Sequence, residues 1–180
     1  MLDAADQLFY RNGISGVGVD TIVAEARVAK MTLYKHFGSK DELVAEFLRR
    51  HAALGLARMQ PVGLQAGATA EERLLAVFDA LEAWFGSEGF QGCAVLNASA
   101  ELTDPRHPGM AIIQQYLRDK RAIVASMTSE LDVADAEALA DQLVTLIHGA
   151  TVLAHAQRSV QPARQAKQAA AALISAARRA

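Results

Sequence analysis

Residues 19–43, VDTIVAEARVAKMTLYKHFGSKDEL, hold two short helical patterns a few residues apart, and neither is long enough to bury its own apolar face. Val19, Ile22, Val23 and Ala26 recur at helical spacing, and Val28, Leu33 and Phe37 supply the apolar contacts of a second helix laid across the first. Such a pair must be covered by further helices. Between Arg27 and Lys40 the chain carries four basic residues (Arg27, Lys30, Lys35 and Lys40), His36 and no acid, although its formal net charge is -2. A local basic excess on a helix-turn-helix is the electrostatic footprint of a surface that meets phosphates. The near-neutral whole argues against general nucleic-acid coating, so any DNA contact is expected to be local.

The cover comes first from the segment before it. Leu2, Ala5, Leu8 and Phe9 form one apolar stripe, and Asn12-Gly13 is a helix stop leading into the Gly-rich connection 13–18. Residues Ala4 to Gly13 (AADQLFYRNG) and Leu33 to Leu43 (LYKHFGSKDEL) together make a long, ordered signature. It resembles the DNA-binding segment of the TetR family of bacterial transcriptional regulators, strongly over residues 1 to about 50 and only generally beyond. In that family a flexible basic extension precedes the first helix; here only Met1 precedes Leu2.

The second helix is expected to open near Val19 or Asp20, where the short side chains of Asp20 and Thr21 can serve free backbone N–H groups. Thr21 reads equally as a plain helix-start residue and as a phosphate contact at a helix N-terminus. Lys30 to Phe37 is the expected recognition helix, with its first residues against base edges. There Lys30 suits guanine, Thr32 pairs with several bases, and Met31 offers an apolar face to a thymine methyl. Tyr34, Lys35, His36 and Lys40 are long or flanking groups suited to phosphate oxygens. The resemblance implies that Tyr34, His36 and Lys40 fall on the family's backbone-contacting positions; the lesser alternative for Tyr34 is an aromatic at the core edge. Leu33 and Phe37 belong to the core.

This turn departs from the family pattern. Where the family has Gly, for a positive φ after the helix end, this chain has Arg27; where it has a capping Ser or Thr, this chain has Ala29; and Met31 replaces a small residue. Loss of the cap costs about 1 kcal/mol, and Arg27 is a further candidate for phosphate contact.

Ser39 and Glu42 read as a capping box opening a helix through Leu43, Phe47 and Leu48 toward Met59. The resemblance implies that this helix is the lever between head and body, tilted by an effector. A loop is expected over 60–68, then a second capping box, Thr69 to Glu72, opening a helix with Leu74, Val77, Phe78, Leu81, Trp84 and Phe85 on one broad face. A short helix follows over about 91–103, carrying Asn97 on an apolar stripe beside Cys93. Met110, Ile113, Leu117, Val124 and Met127 mark a long helix ending near Leu131, and Asp132 is the expected cap of the next, which runs to about Ser159. Gln161-Pro162 breaks the chain before an Ala-rich last helix over 163–177.

The helix over 132–159 is apolar most of the way round, and the last helix carries small residues that permit close approach, so the two are expected to pair with their copies in a second chain. The expected seam is Leu139, Leu143, Leu146, Ala150, Leu153, Ala166, Ala170, Leu173 and Ile174; the same helices could instead pack within one subunit. A dimer also suits the head, because a two-fold pair reads half-sites about 34 Å apart. Phe78, Trp84, Phe85, Met110, Ile113, Tyr116 and Met127, with Asn97 and His148 giving orientation, are candidates to line an apolar effector pocket, although each is also an ordinary core residue.

Other chemistry finds few residues. No Gly-rich phosphate loop, nucleophile elbow, Glu-x-x-His pair or Cys/His cluster appears, so neither an enzyme nor a metal or cofactor is expected. One Cys allows no disulfide within the chain and fits the cytoplasm; no apolar run spans a bilayer and the start is no signal peptide. The expectation is therefore an all-α homodimer of about nine helices per chain, with a three-helix DNA-binding head (1–43) on a larger effector-binding and dimerisation domain (44–180). Its partners would be a double-stranded DNA operator and a small, largely apolar effector, and no membrane. The competing reading is a helical small-molecule carrier or enzyme with a vestigial head.

Overall fold

The computed structural model describes residues 1–60 and 68–178. Among these residues the secondary structure is helical throughout, with no strand: α1 (Leu2–Asn12), α2 (Val19–Glu25), α3 (Lys30–Phe37), α4 (Lys40–Ala57), α5 (Ala70–Phe85), α6 (Ala94–Glu101), α7 (Pro108–Thr128), α8 (Ala136–Gln157) and α9 (Gln161–Ala177). The loop expected over 60–68 lies, at 61–67, outside the described residues.

The helix starts and stops follow from local chemistry. At α5 the expected capping box is complete: Thr69 Oγ1 accepts the Glu72 N–H at 3.2 Å and the Glu72 carboxylate accepts the Thr69 N–H at 2.7 Å. At α4 the Glu42 N–H donates to Ser39 Oγ at 3.1 Å. The cap of α8 is Asp135, whose carboxylate accepts the Ala138 N–H at 2.9 Å, and not Asp132. The Leu131 and Val133 N–H groups donate to the Thr128 and Leu131 carbonyls and the Ala134 N–H to the Ala177 carbonyl of α9, so the helix starts three residues later. Pro162 begins α9 rather than breaking the chain before it, because a proline in the first turn has no intrahelical N–H to lose.

The chain forms two compact units. The first comprises Met1–Leu54 and Cys93–Tyr116, so the unit that contains α1 to α3 extends past residue 43 and also takes in α6 and the start of α7. Its core holds Phe9, Ile14, Val17, Ile22, Leu33, Leu43, Phe47 and Leu48, with Phe9 and Phe47 edge to face at 5.4 Å. A Glu101 carboxylate oxygen accepts the Ser15 N–H at 2.8 Å, tying α6 to the connection between α1 and α2. His51 of α4 hydrogen-bonds Asp6 of α1 at 2.9 Å and stacks on Tyr10.

The second unit comprises Gly55–Gly92 and Leu117–Ala180. Within it α9 packs on both α8 and α5, and their shared core includes Leu74, Val77, Phe78, Leu139, Leu143, Ile147, Ala163, Ala170 and Ile174. The alanines of α9 are what let the three axes approach closely. Arg164 on Glu82 at 2.8 Å joins α9 to α5 at the surface.

Candidate nucleic-acid interface

The first unit builds the surface from α2, the turn and α3. Gly18 caps α2 without a side-chain bond, so Asp20 and Thr21 do not act as its cap. Asp20 instead reaches across to α3, where its carboxylate meets Lys30 Nζ at 2.9 Å. Hydrogen bonding to Asp20, then its charge, raises the Lys30 ammonium above its ordinary value. The acid that residues 27–40 lack is therefore supplied from the helix before. Thr21 is exposed beside it.

The turn bears out the expected backbone and shows what the sequence departs from. Arg27 holds φ +53° in the left-handed region, where a side chain costs about 1 kcal/mol relative to Gly. Ala29 is the N-cap of α3 and offers no side-chain acceptor, so the first N–H groups of that helix have no cap from it. Gly38, with φ +79° and nothing within 4 Å of a Cβ built on it, stops α3 for conformational reasons alone.

One residue anchors α3: Leu33 is fully buried. Around it the helix turns most of its side chains outward. Met31 is 75% exposed and Tyr34 40% exposed, and Arg27, Lys30, Lys35 and His36 are exposed as well. Thr32 and Phe37 are half-buried. Lys40 has a different position. Its ammonium donates to the Ile14 carbonyl at 2.8 Å and lies 5.9 Å from the centroid of the Phe9 ring, so it ties the start of α4 to the loop after α1. The exposed cation, the apolar tip and the flanking polar groups thus come together on one outward face of α3, while Lys40 is engaged inside the unit.

The residues expected to line an effector pocket fall in both units. In the first, Ile113 and Tyr116 are buried, Asn97 and Met110 are half-buried, and the Tyr116 hydroxyl lies 3.5 Å from Cys93 Sγ. In the second, Phe78 and Phe85 are core residues, and half-buried Trp84 meets Phe85, Phe90 and the guanidinium of Arg58 at 4.3 Å. Met127 is half-buried, and the Nε2 atom of His148 is buried without a hydrogen-bond partner.

Of the residues expected at a dimer seam, Leu139, Leu143, Ala150, Ala166, Ala170 and Ile174 are already covered within the one chain, because α5, α8 and α9 close on them. Leu146 and Leu173 are half-buried, and Leu153 remains 48% exposed beside Val152 at 56%. A groove of about 410 Å³ runs between α8 and α9, lined by Thr145, Leu146, Gly149, Leu153, Gln165 and Ala169. Three features had no signal in the sequence: the Asp20–Lys30 pair, the inward turn of Lys40 and the outward position of Val152. Each depends on what a neighbouring helix leaves uncovered.

An all-helical chain whose first helices form a helix-turn-helix with a basic outward face is a nucleic-acid-binding type of protein. Residues 1–47 match the model of the bacterial regulatory proteins of the TetR family, and residues 70–169 match that of the LmrA/YxaF-like transcriptional regulator C-terminal domain. The chain belongs to the TetR family of bacterial transcriptional regulators. It is 42% identical over 62 residues to the transcriptional repressor SCO4008 of Streptomyces coelicolor, which is 34% of this chain and 32% of that protein. It is 30% identical over 106 residues to the repressor NemR of Escherichia coli, which is 58% of this chain and 53% of that one, so these matches span a third to a half of the curated relatives. Among solved structures, the TetR-family regulator SCO4454 of Streptomyces coelicolor matches with a TM-score of 0.86 at 28% identity, over 98% of this chain and 93% of that one. The TetR-type regulator sav143 of Streptomyces avermitilis gives 0.80 at 32% identity, over 94% of each chain.

Proposed function

We propose that the protein is a transcriptional repressor that binds a palindromic DNA operator as a homodimer and leaves it when a small effector enters the second unit. The carrying observation is the outward face of α3, where Lys30, Met31, Tyr34, Lys35 and His36 stand free of the core around the single anchor Leu33. An exposed apolar tip between cations is costly on a surface that meets only water, and it suits a major groove that offers a thymine methyl between phosphates. Lys30 and Met31 read bases; Lys35, His36 and Tyr34 hold phosphates. Arg27 and Thr21 flank them.

The second copy is proposed to sit on α8 and α9. Val152 and Leu153 stand out beside a groove whose floor is made of small residues, which allows close helix approach. The head needs this partner, since one helix-turn-helix spans too few bases for specificity. The effector is proposed to enter the second unit near half-buried Trp84, Met127 and His148. Named repressors among the relatives support the direction of regulation.

Selection of bound DNA from a random pool tests the reading. The expected product is an inverted repeat with half-site centres about 34 Å apart or a multiple of that. Recovery of no enriched sequence overturns it and favours a helical small-molecule-binding protein. Leu153→Glu is expected to convert a sedimenting dimer to monomer; wild-type protein that sediments as a monomer at micromolar concentration removes the seam.

A further inference from the structure

In the first unit two charged side chains, one from the first residue of α4 and one from the last residue of α6, hold the two edges of a single peptide bond. The Ile14 carbonyl accepts the Lys40 ammonium at 2.8 Å, and the Ser15 N–H, on the other edge of the same planar unit, donates to a Glu101 carboxylate oxygen at 2.8 Å. A cation on the carbonyl and an anion on the N–H polarise the peptide in the same sense, so each bond strengthens the other. The Val17 N–H adds only a long contact to that carbonyl, at 3.4 Å. The peptide lies in the connection 13–18, which has Gly at 13, 16 and 18 and so little stiffness of its own. Ile14 and Val17 bury their side chains, but packing of a side chain does not set the plane of the peptide beside it. Gly13 makes room for the grip: a Cβ there would meet both carboxylate oxygens of Glu101 at 3.1 Å, and its φ of +77° disfavours any side chain.

The connection ends at Gly18, the N-cap of α2, and α2 packs on α3. Where the Ile14–Ser15 peptide stands therefore sets where α2 begins, and with it Thr21 and the Asp20 carboxylate that meets Lys30. We propose that Glu101 is a positioning residue for DNA binding: from 86 residues beyond Ser15 it fixes the connection between α1 and α2, and so the place of α2 and α3 against DNA, without touching DNA itself. Lys40 alone holds the carbonyl edge and leaves the N–H edge free to swing. The inference rests on the DNA-binding reading above and adds to it a residue of the same charge as the ligand. An acid on a DNA-binding unit weakens binding through its field. The contribution of Glu101 is geometric, and its sign is opposite to that of its charge.

Three variants separate reach from charge, each measured for melting temperature and for affinity toward the DNA that the wild type enriches from a random pool. Glu101→Asp keeps the charge but shortens the arm by a methylene, and Glu101→Ala removes both. Each should bind that DNA about 10-fold more weakly, the cost of ordering roughly one residue of backbone on binding. Glu101→Gln loses the charge but keeps an acceptor oxygen at the same reach, so it should bind like the wild type. The Ser15 bond is exposed, so the melting temperatures should hardly move. If Glu101→Ala does not fold, the Asp and Gln variants decide. Binding by the Asp and Ala variants as tight as that of the wild type overturns the proposal, and so does a Gln variant as weak as Ala, because the carboxylate would then act by its charge. A loss of affinity seen only with a matching fall in melting temperature also overturns it, since Glu101 would then only support the fold. The two failures are separable: enriched DNA that all the variants bind alike sinks the positioning role alone, and no enriched DNA sinks the regulator reading.

Discussion

Helices α5 and α3 begin in opposite ways. At α5, Thr69 and Glu72 close a reciprocal box, and the backbone and hydroxyl of Thr69 hold the Glu72 carboxyl below its usual range. At α3, Ala29 offers no oxygen, and the turn before it holds Arg27 in a conformation that favours Gly. The two helices also differ in anchorage: α5 buries Ala70, Leu74, Val77, Phe78, Leu81 and Phe85, and α3 buries only Leu33. A helix that packs inside one chain has its ends and flank satisfied there. The helix proposed to meet DNA is left short of internal partners, and the missing cap and the left-handed Arg27 together cost on the order of 2 kcal/mol.

Removing the anchor should have the largest effect. Leu33→Ala is expected to cost about 3 kcal/mol, read by urea unfolding. The head should then lose structure before the second unit, and a single unchanged transition would show that α3 is held by more than Leu33. Next is the outward face: Lys35→Ala should weaken binding to all DNA sequences alike and lower the salt slope by about 1. An unchanged slope would remove Lys35 from the phosphate contacts. Lys40→Glu is a poorer probe of the same surface, since Lys40 also bonds the Ile14 carbonyl and its loss disturbs the fold.

The caps themselves can be exchanged. Thr69→Ala should lose about 1 kcal/mol, whereas Ala29→Ser should gain about 1 kcal/mol. If Ala29→Ser gives no gain in thermal or urea stability, the start of α3 is satisfied in some other way and the contrast fails. The smallest stability effect is expected from Asp20→Asn: both partners of the Lys30 pair are exposed, so the melting temperature should hardly move. Affinity for unselected DNA should nevertheless rise, because one negative charge leaves the surface and Lys30 is freed. Unaltered affinity would mean that the pair does not restrain Lys30.

Much of this was legible in the chain itself. Leu33, Ile22 and Phe9 were readable as core from spacing, and Ser39 and Thr69 as caps from the acid three residues on, since both signals act within a turn or two of helix. The positive φ at Arg27 was expected only through the family resemblance, which has Gly at that place. Asp20 was not readable as the partner of Lys30, nor Lys40 as the partner of Ile14, because both contacts cross a turn whose geometry no local pattern contains. The seam residues show the same limit. Leu139, Leu143 and Ile174 have the spacing of an interface, but that spacing is equally that of a subunit core, and only the closure of α5 on α8 and α9 separates them from Leu153.

By itself, then, the sequence determined the helices, the capped starts of α4 and α5, the glycine stop of α1, and that a basic helix-turn-helix stands near the N-terminus. Periodicity, capping and glycine stops are short-range and need no neighbour. Tertiary structure alone decided which lysine faces outward and which apolar stripe is already covered. A helical pattern states that a face will be buried or exposed, but the groups opposite it come from residues far along the chain.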